Sequence, residues 1–145
     1  MLLRDERQMA VNAVERLCFE SADRYATASE KIDDADLAVR FAELAQERQA
    51  LAAELASHIR ALDDLPQQPD PDRETLDDVL SGIKAFLAGD THATLLAERE
   101  QDEDALMAAA RAALQQDLPA DTLALLQRIA THAESTKEAL AGAHR

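Results

Sequence analysis

Between residues 35 and 63 the chain sets Leu37, Phe41, Leu44, Arg48, Leu51, Leu55, His58 and Leu62 at alternating steps of four and three. On an α-helix those steps keep side chains on one face. Sustained over about four heptads, they predict a long helix that buries a continuous seam against partner helices. Two of the seam positions, Arg48 and His58, are polar, and Glu47 and Glu54 stand beside them. A seam that carries charge into a core must find partners for it. A buried ion left alone costs several kcal/mol, so such groups are paired or bind metal.

The rest of the chain repeats this helical pattern. Residues 4 to 31 read as a first helix, with Val11, Val14, Cys18, Ser21, Tyr25, Ala28 and Ile32 on one face. Asp33 or Asp34 is placed to cap the helix that follows. After it comes "DDLPQQPDPDRE", whose closely spaced prolines predict an extended linker over 63–73. A shorter helix is expected at 74–88, with Leu76, Val79, Leu80, Ile83 and Leu87 on its apolar side, ended by Gly89. Asp90 or Thr91 then caps a long helix over 91–117. Pro119 sits near the start of a last helix running to about 141, with a frayed tail at 142–145. Its inward candidates are Leu125, Leu126, Ile129, His132, Ala133, Thr136 and Leu140.

Composition agrees with an all-helical domain. Only three Gly and four Pro occur in 145 residues, too few for a turn-rich β protein, and aromatics are 3%, so Leu and Ala must fill the core. A chain of this size buries about 68–70% of its unfolded surface, enough for one domain. The net charge of −14 repels phosphate backbones and anionic lipid, which sets nucleic acid and membrane surfaces aside as partners. The single cysteine, Cys18, allows no internal disulfide and no thiolate cluster, as suits a reducing cytoplasm, and its apolar face predicts a buried, inert thiol. No apolar run reaches signal-peptide or transmembrane length.

Tight joins within each pair of long helices make them antiparallel hairpins, and the long central connection can return the chain along their length. This is the ferritin-like order of a four-helix bundle. The acidic stretch "EREQDED" then divides by helical angle. With Leu106 facing inward, Leu95 and Arg99 lie about 20° from it, Asp102 about 40° and Glu103 about 60° to the other side. Glu98, Glu100 and Asp104 fall on the outer face. Polar groups thus recur near the middle of every long helix, and a shared polar core layer is expected. Glu103 and Asp102 are expected to pair with Arg48 or Arg99, and His132 with a neighbouring carboxylate.

The segments "FAELAQERQALAAEL", "FLAGDTHATLLAEREQDEDAL" and "LPADTLALLQRIATHAES" resemble the small bacterial ferritin-like four-helix domains of uncharacterised function, over roughly residues 10–140. The resemblance implies a site between the helices where relatives hold two metal ions, using a Glu from two helices and Glu-x-x-His from the others. Carried over, the ligands would be Asp23 (or Glu20), Glu54, His58, Glu103 and His132, holding iron or another divalent ion. The pattern departs at Leu55 and Ile129, where acids belong, and at Arg99, whose fixed cation opposes a metal. Three readings follow. One is a non-catalytic module with a polar core and no cofactor, a stress-related or structural binding protein that forms a homodimer. The second is a reduced carboxylate–histidine metal site. The third is a helical module that binds an unknown protein partner through a groove beside the short helix.

Overall fold

The structure, a computed structural model, describes residues 6–62 and 91–143. Four helices account for them: α1 (Glu6–Lys31), α2 (Ala35–Ala61), α3 (Thr91–Leu114) and α4 (Ala120–Ala143), with no strand among the described residues. The expected linker at 63–73 and short helix at 74–88 lie outside the described residues. So do the tail residues 144 and 145, while 142 and 143 continue α4. No described helix is long and apolar enough to cross a membrane.

Local chemistry fixes the turns. Asp34 is the N-cap of α2, its side-chain oxygen accepting from Asp36 N at 3.0 Å and Leu37 N at 3.1 Å. That satisfies two of the orphan donors of the first turn. Pro119 carries no N–H to waste at a helix start, and its carbonyl accepts from Leu123 N at 3.0 Å. Gly142 lies in the last turn of α4, and a Cβ built there meets nothing within 4 Å. Gly142→Ala is therefore expected to stabilise the protein by about 0.5–1 kcal/mol, read as a higher Tm.

Two apolar clusters give the direction of every helix. The first joins Val11, Val14 and Cys18 of α1 to Leu55 and Ile59 of α2, Leu106 and Ala110 of α3, and Leu126 and Ile129 of α4. The second joins Tyr25, Ala28 and Ile32 to Phe41 and Leu44, Leu95 and Leu96, and Leu140. The first cluster thus takes the early half of α1, the late halves of α2 and α3, and the early half of α4. Helices α2 and α3 run the same way, and α1 and α4 oppose them. Leu62 and Thr91 consequently sit at opposite ends of the bundle.

The buried stripe of α1 is the expected one, from Val11 to Ile32. That of α2 differs from the heptad seam. Phe41, Leu44, Arg48 and Leu55 are buried, but Leu51, His58 and Leu62 are only half-buried, while Ala52, Ala56 and Ile59 face the core. An uncoiled helix turns once per 3.6 residues, so a strict heptad row drifts about 20° per repeat. Over α2 that drift carries the late seam residues out of the core and brings their neighbours in.

Candidate functional site

Between the two apolar clusters lies a single polar layer, to which every helix contributes. Its centre is Arg48, fully buried at 0% exposure, facing Glu103, also 0% exposed. Arg48 Nη1 donates to Glu103 Oε2 at 3.0 Å and to Ser21 Oγ at 2.8 Å, and Nη2 donates to Glu103 Oε1. Tyr25 Oη donates to Glu103 Oε2 at 2.6 Å. Arg48 Nε donates to His132 Nδ1 at 2.9 Å, and His132 Nε2 lies 2.9 Å from Glu47 Oε2. The bidentate fork of a guanidinium matches a carboxylate in both distance and plane, which is what makes this pair tenable in a core.

A second arginine completes the layer. Arg99 is 4% exposed, and its Nη1 lies 3.0 Å from Asp102 Oδ2. That approach is off-line for a hydrogen bond, and Arg99 Nε has no partner among the described residues either. Asp102 Oδ1 accepts from Arg24 Nη1 at 3.2 Å. The Tyr25 ring stands 5.8 Å from the Arg99 guanidinium carbon and 5.9 Å from that of Arg48, so its π-face offsets part of both charges. Phe41 packs on the same ring, with centroids 5.5 Å apart and planes tilted by 55°.

The electrostatics follow from this enclosure. For Arg48, burial works against the charge, but the hydrogen bonds and field of Glu103 outweigh it and hold the guanidinium more firmly protonated than usual. For Tyr25, burial and then the Glu103 carboxylate push the hydroxyl far above its ordinary range, fixing it as a donor. Glu47 is held below its usual range: its modest burial is overcome by the hydrogen bond from His132 and by Arg40. Burial pushes the Cys18 thiol up to about 12.

Cys18 gives a direct test. At pH 8 its thiolate fraction is on the order of one part in ten thousand, so native protein should resist thiol reagents that label the unfolded chain at once. Because the folded value is raised, the contribution of Cys18 to stability is complete below about pH 9 and is lost as pH rises towards 12. Cys18→Ala is expected to flatten the alkaline fall in unfolding free energy, most clearly between about pH 9 and 10, before Tyr25 adds its own slope in the unfolded chain.

The residues proposed as ligands from sequence do not converge. Glu103 and His132 both touch Arg48. Glu54 instead forms an exposed two-pronged pair with Arg128, at 3.1 Å for each contact. His58 Nδ1 meets Thr122 Oγ1 at 2.8 Å, one end further along. Asp23 is exposed and lines a groove between α1 and α2 with Gln46 and Gln49. Among the described residues, no group of three or more His, Cys, Asp or Glu side chains is placed to hold a metal ion.

On α3, Glu103 is fully buried while Asp102 is 23% exposed, the reverse of the order expected with Leu106 at the centre. The buried arc of α3 also takes in Leu96, Met107 and Ala110, so its centre lies about 40° towards the Glu103 side. Glu20, the alternative to Asp23 in the expected ligand set, is buried on α1 with Arg16 4.0 Å away. Sequence reasoning missed Asn12 and Glu15, which are buried beside the same apolar stripe. Their only signal was position next to Val11 and Val14.

Fold and site together define a helical bundle whose core, among the described residues, is crossed by a hydrogen-bonded charged layer. The chain belongs to a family described as "Domain of unknown function (DUF2383)", which matches residues 9–116. That span contains Ser21, Tyr25, Arg48 and Glu103, while His132 lies beyond it. No curated protein and no solved structure matches the chain.

Proposed function

We propose that this protein is a non-catalytic ferritin-like module in which a guanidinium–carboxylate layer stands where relatives of that fold hold two metal ions. Two antiparallel hairpins, with α2 and α3 running the same way, support the ferritin-like reading. The observation that carries the functional reading is the position of Arg48, bonded at once to Glu103, Ser21 and His132.

The donor set does not fit a divalent ion. Both Glu103 oxygens already accept from Arg48, and one also accepts from Tyr25. A metal-bound histidine donates its other ring N–H to an acceptor. His132 has the reverse arrangement: its Nδ1 receives a hydrogen from Arg48, which cannot accept one in return. Binding a metal through Nε2 would therefore require loss of the Arg48 contact or an imidazolate. General-base catalysis meets the same obstacle, because neither ring nitrogen is free.

In this reading the layer sets helix register. Sliding any helix by one turn would leave Arg48 or Glu103 unpaired, at a cost of several kcal/mol. The module then acts by binding other proteins, including a second copy of itself, since a charge of −14 disfavours nucleic acid and anionic membranes. A groove of about 640 Å³ between α2 and α4, lined by Ala50, Leu51 and Thr131 among others, is one surface available for this. Elemental analysis of untagged protein tests the metal-free reading, together with melting temperatures measured with and without Fe, Mn or Zn. Unchanged melting and no stoichiometric metal are expected; a tightly held ion that raises the melting temperature would overturn it.

A further inference from the structure

On the side of α2 and α4 the buried layer reaches solvent through His132. Arg48 and Glu103 are sealed, but His132 is 24% exposed and lines the groove between α2 and α4. A guanidinium has a hydrogen on every nitrogen and accepts none. Arg48 Nε is 2.9 Å from His132 Nδ1, so Nδ1 must offer its lone pair. The ring proton is then on Nε2, directed at Glu47 Oε2. The contact between Arg48 and His132 exists only while the imidazole is neutral and in this tautomer.

We infer that His132 is a protonation-gated latch between α2 and α4. A proton added at Nδ1 turns an acceptor into a donor that faces another donor, and it sets an imidazolium against a guanidinium. Histidine is the side chain whose charge changes within the physiological range. The charged groups around the ring act on it from several elements. On α2, Glu47 attracts the imidazolium and is itself bonded to Arg40, while Arg48 repels it. Glu54, further along the same groove, is paired with Arg128 of α4. On α3, Glu103 is reached only through Arg48, and Asp104 is occupied by Lys137 of α4. From α1, Ser21 and Tyr25 meet the layer on the far side of Arg48 and Glu103. A protonated ring keeps Glu47 and turns with it towards the groove, leaving Arg48 Nε bare.

The seam it would loosen joins α2 and α4 by reaching side chains as well as by the apolar cluster they share. Arg48–His132, Glu54–Arg128 and His58–Thr122 cross from α2 to α4 beside the groove. The central one of these is the only one that also ties the seam to the buried layer. Its loss opens the groove to whatever the bundle binds, which links the groove to pH. This inference rests on the metal-free reading of the layer, but its test is separate: metal content is read by elemental analysis, the latch by the pH dependence of hydrogen exchange.

Glutamine separates the latch from a merely structural histidine. Its amide offers one acceptor to Arg48 and one donor to Glu47, and it takes no charge. Backbone hydrogen exchange around residues 48 and 132 would be measured for wild type and His132→Gln at pH 8 and pH 5, corrected for intrinsic rates. Wild type is expected to lose about tenfold of its protection at pH 5, and His132→Gln to lose little. Equal losses in both proteins would overturn the inference. Should the variant fail to fold, ring-nitrogen NMR of wild type decides alone. A bare Nδ1 at pH 8, with the Arg48 Nε–H signal lost as the ring protonates, supports the latch. A protonated Nδ1 at pH 8, or an Arg48 signal unmoved by ring protonation, contradicts it.

Discussion

Arg48→Met is expected to lower the unfolding free energy by about 3–5 kcal/mol, the penalty for breaking a buried ion pair from one side. For a domain of this size that corresponds to a fall in Tm on the order of 10–20 °C. The cost comes less from the lost attraction than from what remains. Glu103, with no exposed surface, would keep only the Tyr25 hydroxyl as a partner. Ser21 and His132 would each lose a donor as well. Replacing both charges, as Arg48→Met with Glu103→Leu, is expected to recover much of the loss, because an apolar pair of similar volume needs no desolvation. The Tyr25 hydroxyl would then lack its acceptor, at about 1–3 kcal/mol, so recovery is incomplete unless Tyr25→Phe is added. Denaturant unfolding of the two single variants and the double variant measures the coupling. A coupling energy of about 2–3 kcal/mol is expected; simple additivity would mean the pair contributes nothing as a pair.

The second large effect is at Phe41. Its side chain is fully buried in the cluster with Tyr25, Leu44, Leu95 and Leu140, and aromatics are only 3% of the chain. Few neighbours are large enough to close the space it would leave. Phe41→Ala is expected to cost about 3–5 kcal/mol, by lost burial and by the cavity that remains. It also removes the ring that supports Tyr25, so the effect should spread into the polar layer. Phe41→Leu keeps most of the volume and is expected to cost less than about 1.5 kcal/mol. Chemical denaturation compares the two. A Phe41→Ala loss no greater than that of Phe41→Leu would mean this end of the core can repack freely.

Much of this architecture was legible in the residues. The stripe from Val11 to Ile32 on α1 needed only helical spacing, and Asp34 as a cap only its place before an apolar run. The polar layer was legible because Arg48, Arg99, Glu103 and His132 interrupt apolar rows at similar heights. The expected pairings of Glu103 and Asp102 with arginines, and of His132 with a carboxylate, are the contacts found. What spacing could not give was rotation. The drift of the α2 seam and the offset of the α3 stripe depend on where neighbouring helices press, which no single helix encodes. The burial of Asn12 and Glu15 was hidden for the same reason. Glu54 and His58 share a face of α2, yet each reaches its own partner on α4, because the two helices are bridged rather than interlocked.

The ligand set was the reading most exposed to this limit. A carboxylate and a histidine at the right heights look the same in sequence whether a metal or a guanidinium lies between them. Arg48 was visible as an interruption of the seam, but that its Nε meets His132 Nδ1 depends on the distance between α2 and α4. That contact makes the arginine the hub of the layer.

The most direct test of that account is an anaerobic titration of untagged protein with Fe(II), followed by exposure to air. With Arg48 seated between Glu103 and His132, no saturable binding and no protein-dependent oxidation are expected. Saturation at about two ions per chain, with oxidation on admitting air, would contradict it and would require Arg48 to leave the layer to make room for metal.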